Sequence, residues 1–256
     1  MNWDTLCAKA MTIVEKEPRF IRLPSSGIAV FVGDTHGDLD ATERVLHRYA
    51  KAPYHLVFLG DYVDRGIQSE ENLVCLLNAK VQQAGRITLL AGNHEGFMAK
   101  KFLPADFWED LGDRDRDILG TLFSRFPLAA ASENGVLGVH GALPDLESLE
   151  EINQIQPDDD NWNRITWGDF LEDDGDLLGE WGGRPQFGGR YFRRMMDRHH
   201  LKLLIRSHQP GSPPWMFDRR CLTIFTSYAY TSRRTVAILD LGKDLRNSKD
   251  VSIEEM

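Results

Sequence analysis

Three short apolar runs near the start of the chain end in the same way, with a glycine followed by polar side chains. The first run, Ile28–Val32, leads into Gly-Asp-Thr-His-Gly at 33–37. The second run, 56–59, is followed by Gly-Asp, and the third, 87–90, leads into Gly-Asn-His. Short runs rich in Val, Ile and Leu with a bounding glycine predict buried strands. Polar side chains at the carboxyl ends of such strands face the crevice where α/β sheets bind ligands.

Helical patterns separate these runs, so the chain alternates between strand and helix. Asp38 is predicted to cap the helix after the first run, and Ser69 is predicted to cap the helix after the second. Gly85 is predicted to end that second helix. The alternation predicts right-handed crossovers in a parallel or mixed sheet. The residues by themselves therefore predict a layered α/β fold.

The same sequence patterns predict further elements in the rest of the chain. These are helices at 1–20 and 96–127 and strands at 136–139 and 203–205. Two late strands, 221–225 and 236–239, are predicted to form an antiparallel pair. Glycines and acidic residues dominate 144–189, which we expect to be a loop-rich excursion over the rim of the site. Residues 1–246 are thus predicted to form one domain, followed by a frayed polar tail at 247–256.

The composition limits the kinds of molecule that this protein is expected to bind. The net charge of −9 and the pI of about 5.4 argue against a nucleic-acid-binding protein, which is normally basic on one face. The net charge and pI are compatible with a small phosphorylated substrate that binds at a local positive site. No apolar run reaches the ~18 residues of a membrane helix, and no leader pattern is evident. Three widely spaced cysteines, Cys7, Cys75 and Cys221, fit no disulfide or zinc framework, so we expect a cytoplasmic protein without a membrane partner.

Five strand ends deliver side chains that are able to bind metal. They are carboxylates, one amide and imidazoles, with no thiolate among them, namely Asp34, His36, Asp61, Asn93, His94, His140 and His208. Oxygen and nitrogen donors of this kind suit Mn, Fe or Zn better than Ca or a sulfur-bound metal. Because a carboxylate can bridge two ions, this number of donors predicts a two-metal centre.

The motifs around these donors resemble those of a known family. Gly-Asp-x-His-Gly at 33–37, Gly-Asp-x-Val-Asp-Arg-Gly at 60–66 and Gly-Asn-His-Glu at 92–95 are similar to the signature of the phosphoprotein phosphatases, metallophosphoesterases related to protein phosphatase 1 and calcineurin. His140-Gly141, Arg206-Ser207-His208 and 223–230 match its later motifs. The resemblance covers most of the chain, which looks closest to the compact prokaryotic members. It implies a β-sandwich of two mixed sheets flanked by helices.

The resemblance also implies the cofactors and their ligands. Two divalent ions would lie at the strand-loop edge of the sandwich, Mn²⁺ first among the candidates and Fe or Zn as alternatives. The expected ligands are Asp34, His36 and Asp61 for the first ion and Asp61, Asn93, His140 and His208 for the second. In this family a hydroxide that bridges the two ions attacks phosphorus in line, without a covalent intermediate.

Further roles follow from the same resemblance. His94 would protonate the leaving alkoxide, with Asp64 holding its imidazole ring. Arg65 and Arg184 would clamp phosphate oxygens, since a planar guanidinium fits two oxygens at once. Asn93 and Tyr230 would complete the substrate-binding site.

Alternative roles stay open for several of these positions. Asp64 is alternatively the partner of Arg65 in a loop ion pair, and Glu95 either supports the site or takes part in it. Rival residues exist for two positions, namely Arg190 and Arg206 for Arg184, and Tyr228 for Tyr230. Trp162, Trp167 and Trp181 are expected to anchor the core, with the substrate rim as the alternative.

Departures from the family pattern concentrate near the substrate rim. Ala142 stands where a second glycine often follows the histidine, and residues 227–230 read Ser-Tyr-Ala-Tyr in place of Ala-Pro-Asn-Tyr. The loop at 182–189 resembles the arginine loop of the family only loosely. These differences bear on substrate specificity more than on metal chemistry.

We therefore expect a metal-dependent phosphomonoesterase that acts on phosphoserine or phosphothreonine in a protein or peptide. The sequence names no regulatory subunit. An alternative, from a sister branch, is symmetrical hydrolysis of dinucleoside polyphosphates such as diadenosine tetraphosphate. That branch tends to lack the Asp before the motif arginine, whereas this chain has Asp64. A scaffold protein with a vestigial metal site is a third hypothesis, but it predicts a broken ligand and every expected ligand is present.

Overall fold

Each apolar run forms a strand in the computed structural model, which describes residues 3–256. In chain order the strands are β1 (Phe20–Arg22), β2 (Ile28–Val32), β3 (Tyr54–Phe58), β4 (Ile87–Leu89), β5 (Ala129–Ala131), β6 (Val136–Val139), β7 (Asp169–Phe170), β8 (Leu177–Trp181), β9 (Arg184–Phe187), β10 (Leu203–Arg206), β11 (Trp215–Met216), β12 (Cys221–Thr223), β13 (Thr235–Asp240) and β14 (Val251–Glu255).

The α-helices are α1 (Trp3–Val14), α2 (Leu39–Tyr49), α3 (Ser69–Gln82), α4 (Asp106–Asp110), α5 (Asp113–Phe123), α6 (Asp160–Trp167) and α7 (Gly189–Arg198), with 3₁₀ turns at Leu149–Gln154 and Ser248–Asp250. The helix predicted over 1–20 is thus shorter than expected, and its first two positions lie outside the described residues. None of the helices among residues 3–256 is long and apolar enough to cross a membrane.

The main strands form two mixed sheets. One has six strands in the order β1-β5-β6-β10-β12-β11, and the other has five in the order β14-β13-β2-β3-β4. In the five-stranded sheet β2, β3 and β4 run parallel, while β13 runs antiparallel to β2. In the six-stranded sheet β6, β10 and β12 run parallel, while β5 runs antiparallel to β6. The predicted architecture of two mixed sheets flanked by helices is confirmed.

The sheets pack face to face because the central strands are apolar on both sides. Along β2, Ala29 and Phe31 belong to the core between the sheets, whereas Val30 and Val32 belong to the core shared with the helices. A strand buried on both faces reads as a continuous apolar run, which explains the absence of alternation in its sequence. The sheets approach closely at Gly138, where a Cβ atom would lie 2.7 Å from the ring of Phe31.

The carboxyl ends of β2 and β12 bring the two sheets together at the edge that carries the polar residues. Asp34 forms a parallel bridge with Phe225, which follows β12. Gly33 makes this approach possible, because a Cβ atom there would lie 2.3 Å from the carbonyl oxygen of Ile224. The Asp34 amide also donates to Ser207 Oγ at 2.9 Å, which links β2 to the end of β10. Loops from both sheets therefore converge on one site.

The predicted pairing of the two late strands is wrong. β12 lies in the six-stranded sheet, parallel to β10, and β13 lies in the five-stranded sheet, antiparallel to β2. Both strands are buried, and burial by itself does not specify which partner a strand takes.

Two further regions are more regular than the sequence suggested. The excursion at 144–189 contains α6 and a small sheet in the order β7-β9-β8. The tail predicted to be frayed instead forms the 3₁₀ turn and β14, which pairs with β13 over five residues. Val251 is buried there, and Tyr49 donates a hydrogen bond to Glu254 at 2.9 Å. One buried apolar residue and a sheet edge suffice to order a mostly polar segment.

Several local predictions are tested directly. Asp38 does cap α2, since its carboxylate accepts from the Ala41 amide at 3.2 Å. Ser69 is the first residue of α3 rather than its cap, and its hydroxyl donates to the Gly66 carbonyl. The same helix ends at Gln82, before Gly85. Residues 96–127 hold two short helices, α4 and α5, after a stretch of turns.

Candidate metal centre and active site

The loop after β2 presents Asp34 and His36 with fixed orientations. Both side chains are buried, and His36 has a positive φ of 39°. His36 Nδ1 lies 2.8 Å from the Val63 carbonyl oxygen, so this nitrogen is the donor. His36 Nε2 is then a lone-pair donor to a cation, and it lies 3.7 Å from Asp34 Oδ2 and 3.5 Å from Asp61 Oδ2. These three atoms form one face of the site.

Asp61 lies at the centre of the site. Its Oδ1 accepts from the His94 amide at 3.0 Å, which fixes the carboxylate. Its Oδ2 is 3.5 Å from His36 Nε2 on one side and 3.3 Å from His140 Nε2 on the other. This carboxylate oxygen therefore lies between the two groups of donors, where a carboxylate is able to bridge two cations.

The second group of donors converges from three loops. His140 Nε2 lies 3.2 Å from Asn93 Oδ1 and 3.1 Å from His208 Nδ1. His140 Nδ1 faces the Leu59 carbonyl oxygen at 2.9 Å, so its Nε2 also presents a lone pair to the centre. Lone pairs that converge in this way repel one another unless a proton or a metal cation lies among them. The ligand atoms predicted for the second ion are therefore together.

The electrostatics of this buried cluster also favour positive charge at its centre. Burial and the neighbouring Asp61 raise the pKa of Asp34 to about 6. Burial opposes the charged form of His140, but the Asp61 carboxylate outweighs it and raises the pKa of His140 to about 9. Asp34 Oδ2 is buried without a hydrogen-bond partner. Oxygen and nitrogen donors with these properties fit divalent metal ions, so the residues present fit the predicted cofactors.

His94 and Asp64 form a buried pair beside this cluster. His94 Nδ1 lies 2.5 Å from Asp64 Oδ2, while Asp64 Oδ1 accepts from the Phe107 amide at 2.8 Å. Burial disfavours the imidazolium, but the carboxylates of Asp61 and Asp64 outweigh it and raise the pKa of His94. Asp64 thus contacts His94, and among residues 3–256 no ion pair joins it to Arg65. His94 Nε2 is left facing the centre, 3.9 Å from Asp61 Oδ2.

Glu95 supports the site from behind. Its carboxylate accepts from three backbone amides, those of Asp61 at 2.8 Å, Tyr62 at 2.9 Å and Gly92 at 2.9 Å. It thereby ties the loop after β3 to the loop after β4. Burial and the nearby Asp61 raise the pKa of Glu95 to about 7. Of its two predicted roles, these contacts favour structural support.

Asn72 of α3 ties the first two loops together in the same manner. Its amide donates to Thr35 Oγ1 at 3.0 Å and to the Tyr62 carbonyl oxygen at 2.8 Å, and its oxygen accepts from Thr42 Oγ1. Asn72 is fully buried. Its sequence position in the first turn of α3 gave no signal of this role, because the partners lie on other elements.

Arg65 and Tyr230 lie at the mouth of the site. Arg65 Nε donates to Tyr230 Oη at 2.8 Å, and its Nη1 donates to the Pro104 carbonyl oxygen at 2.7 Å. The Tyr230 ring centroid is 5.3 Å from that of His36. Tyr228 instead lies under the guanidinium of Arg234, at 4.0 Å. Of the two candidate tyrosines, Tyr230 is therefore the one beside the metal ligands.

Of the three candidate arginines, Arg184 is the one at the rim. Its guanidinium binds both oxygens of Asp169, at 2.9 and 2.7 Å, and donates to the His208 carbonyl oxygen at 3.1 Å. Arg190 pairs with Asp174, and both side chains are exposed. Arg206 is fully buried with its guanidinium over the ring of Phe170. Arg184 is therefore held against a metal-ligand loop by Asp169.

Asp169 is a site residue that the sequence did not reveal. Its Oδ1 lies 3.7 Å from His208 Nε2, on the opposite side of the ring from the nitrogen that faces the cluster. This separation is too long for a hydrogen bond, so Asp169 acts on the His208 loop through Arg184, which it binds with both oxygens and which donates to the His208 carbonyl oxygen. Its only sequence signal was an acidic residue that directly follows Trp167-Gly168, in a region assigned as loop.

The substitution Asp169→Asn is expected to weaken binding of the ion on the His208 side by about 10- to 100-fold, because Arg184, which holds the His208 loop through its carbonyl oxygen, loses its charged partner. Metal titration by calorimetry would measure this loss. Asp174→Asn is a matched control, since Asp174 is exposed and pairs only with surface arginines in the described residues. Equal affinity in the Asp169→Asn variant and the control would contradict the assignment.

The comparison with protein families agrees with this geometry. A family model described as Calcineurin-like phosphoesterase matches residues 29–212, which is more than half of the chain. The chain therefore belongs to the calcineurin-like phosphoesterase family, and the family resemblance found in its motifs is confirmed. It is a metallophosphoesterase, a hydrolase of phosphate esters that uses divalent metal ions.

Solved structures share the fold across several substrate classes. A protein serine/threonine phosphatase from Saccharomyces cerevisiae, with similarity to human phosphatase PP5, has a TM-score of 0.83 at 22% identity, covering 100% of this chain and 90% of that chain. A cold-active protein-tyrosine phosphatase of a psychrophilic Shewanella has a TM-score of 0.59 at 16% identity, covering 95% and 84%. A protein described as a diadenosine tetraphosphatase has a TM-score of 0.54 at 17% identity, covering 93% and 98%. At these identities the likeness shows the fold alone.

Proposed function

We propose that this metallophosphoesterase is a protein serine/threonine phosphatase. The observation that carries the proposal is the His94–Asp64 pair, with 2.5 Å between Nδ1 and Oδ2. The alkoxide of serine or threonine is a much poorer leaving group than a nucleotide phosphate, so its departure gains more from a proton donor. A buried imidazole whose pKa is raised by two carboxylates is suited to donate that proton.

The other residues divide the remaining work. Asp34, His36 and Asp61 would hold one ion, and the shared oxygen of Asp61 would contribute to the second ion with the donors of the other three loops, namely Asn93, His140 and His208. When bound, the two ions supply Lewis acidity toward phosphate oxygens and lower the pKa of the attacking water. We propose Mn²⁺, with Fe or Zn as alternatives, because carboxylate, amide and imidazole donors suit these metals.

Substrate binding is assigned to the mouth of the site. Arg65 would bind phosphate oxygens, and it would exchange its contact with the Pro104 carbonyl for the stronger charge-assisted bonds to phosphate. Tyr230 limits the position of Arg65 through its hydroxyl. Arg184 would take a second phosphate oxygen, although its guanidinium is already bound to Asp169. Asn93 would contact an ion through Oδ1, which lies 3.2 Å from His140 Nε2, and the phosphate through its side-chain NH₂ group.

We propose separately that the protein is located in the cytoplasm. Cys7, Cys75 and Cys221 are all free thiols, which suits the reducing cytoplasm. The partner is a phosphorylated protein or peptide, and no part of the proposal depends on a regulatory subunit, a nucleic acid or a membrane.

A panel of substrates tests the proposed function. The Mn²⁺-loaded protein should be compared on phosphothreonine, phosphoserine and phosphotyrosine peptides and on diadenosine tetraphosphate, by release of phosphate or nucleotide. We expect the highest kcat/KM on the phosphothreonine or phosphoserine peptide. Faster cleavage of the dinucleotide would replace this assignment with the nucleotide hydrolase, and faster cleavage of phosphotyrosine would replace the residue specificity. The same measurements after chelation of the metal give the background rate of phosphate or nucleotide release.

A further inference from the structure

Large apolar side chains are exposed on both sides of the active-site mouth. Ile67 is 99% exposed, Leu103 is 76% exposed and Trp181 is 70% exposed, while Tyr230 is 41% exposed. Single exposed apolar residues are common on protein surfaces and need no explanation. Three of these four, however, lie on loops that contain or contact Arg65, and Trp181 ends β8 in the hairpin that contacts the loop of His208, so their positions are linked to the site.

Three of the four surround Arg65. Tyr230 accepts a hydrogen bond from Arg65 Nε, and the carbonyl of Pro104, directly after Leu103, accepts one from Arg65 Nη1. Ile67 follows Arg65 by two residues in the same loop. Because Tyr230 also packs edge-on against His36, this group lies beside the ligands of the first ion.

Trp181 lies on the opposite side, at the tip of the β8–β9 hairpin. The turn is formed by Gly182 and Gly183, both with positive φ, and Trp181 pairs across the hairpin with Arg184. Side chains of such a cross-strand pair lie on the same face. Arg184 reaches the His208 carbonyl from that face, so Trp181 lies on the side of the second ion. Lys100 Nζ donates to the Gly183 carbonyl oxygen at 3.0 Å and fixes the tip.

We infer that Ile67, Leu103, Tyr230 and Trp181 form an apolar rim that binds hydrophobic side chains on both sides of the phosphorylated residue in a polypeptide substrate. This inference rests on the proposed protein phosphatase function and adds a sequence preference to it. An extended peptide places residues on either side of a phosphoresidue at the metal centre within reach of the two halves of the rim. Burial of these side chains by the peptide would remove apolar surface from water.

The chemistry of the rim favours a polypeptide over a dinucleotide. Two of its four side chains, Ile67 and Leu103, are aliphatic and suit the aliphatic side chains of a peptide, whereas the aromatic Tyr230 and Trp181 can contact either a peptide side chain or a nucleobase. A tetraphosphate would also need several available cations. On the hairpin side Lys100 Nζ already donates to Asn163 and to the Gly183 carbonyl, which leaves Arg65 and Arg184 to bind phosphate oxygens.

The test compares two phosphothreonine peptides that differ only in their neighbours, one with leucines on both sides of the phosphoresidue and one with glycines. p-Nitrophenyl phosphate reports on the metal centre without any neighbours. We expect the wild-type protein to prefer the leucine peptide. Ile67→Ser with Leu103→Ser, and separately Trp181→Ser, should each lower kcat/KM on the leucine peptide by about tenfold. For both variants, kcat/KM on the glycine peptide and on p-nitrophenyl phosphate should stay within about twofold of the wild-type value.

Ile253→Ser is the control, because Ile253 is an exposed apolar residue, 42% accessible, that lies on the edge strand β14 and not on the rim. Cleavage of both peptides at equal rates by wild type and variants would overturn the rim while leaving the phosphatase function intact. An equal loss on p-nitrophenyl phosphate would also overturn it, since the effect would then lie in the metal centre. If wild type cleaves p-nitrophenyl phosphate but neither peptide, the proposed function fails and the rim falls with it.

Discussion

Asp61→Asn is expected to weaken binding of both divalent ions together, each by more than about 100-fold, since direct ligands contribute more than the outer partners that cost 10- to 100-fold. The reason is geometric, because Asp61 Oδ2 is within 3.5 Å of His36 Nε2 and 3.3 Å of His140 Nε2. The substitution removes one negative charge from between the two groups of donors. Elemental analysis of the purified variant, with calorimetric titration of Mn²⁺, measures both sites.

The matched comparison for this variant is Asp34→Asn. Asp34 Oδ2 lies next to His36 Nε2 but has no hydrogen-bond partner, so its loss should affect mainly the first ion. The apo forms of both variants should unfold near the wild-type temperature, because an amide oxygen can still accept from the backbone amide that each carboxylate binds, His94 for Asp61 and His208 for Asp34. Loss of a single ion in Asp61→Asn would show that its carboxylate does not bridge.

His94→Asn is expected to keep both ions and to lower kcat on a phosphothreonine peptide by about 10²- to 10⁴-fold, the usual contribution of a positioned proton donor. The effect should be much smaller on p-nitrophenyl phosphate, because nitrophenolate leaves without protonation. The ratio of the two losses therefore separates proton donation from general damage to the site. Metal content is measured in parallel to show that the ions remain.

Asp64→Asn provides the companion variant. Its amide oxygen can still accept from the Phe107 amide, so the loop should keep its shape while the imidazole loses its charged partner. We expect the same substrate-dependent pattern as in His94→Asn, with a smaller loss. Equal losses on both substrates in either variant, or full activity on the peptide, would refute the role of His94 as the acid.

Local sequence patterns predicted most of the strands and a layered α/β fold, and the family resemblance supplied the sandwich of two sheets and the candidate residues at its edge. Runs such as Ile28–Val32 were correctly predicted to be strands, because both faces of the strand are buried and the glycine that follows ends it. The partnerships of β12 and β13 were mispredicted for the converse reason. Two buried strands of similar length offer no local information on which sheet they join, so the tertiary packing decides.

The same reasoning explains which parts of the site were missed or misread. Asp169 and Asn72 act on loops from other elements, and neither stands in a motif with a spacing that indicates chemistry. Trp162 and Trp167 are buried as predicted. Trp181 is exposed, because it precedes the two-residue turn of a hairpin and its strand β8 lies at the edge of the small sheet. A tryptophan by itself does not reveal whether its surroundings are core or rim.

The chain by itself determined the donor types, their order and the strand ends that carry them, because glycine, carboxylate and imidazole at those points leave few conformations and few chemistries open. Only the tertiary structure decided that one oxygen of Asp61 faces both groups of donors, that Asp64 contacts His94, and that Arg184 is engaged by Asp169. These facts depend on distances between atoms far apart in sequence. Such distances arise from the packing of two sheets against each other, which no local pattern encodes.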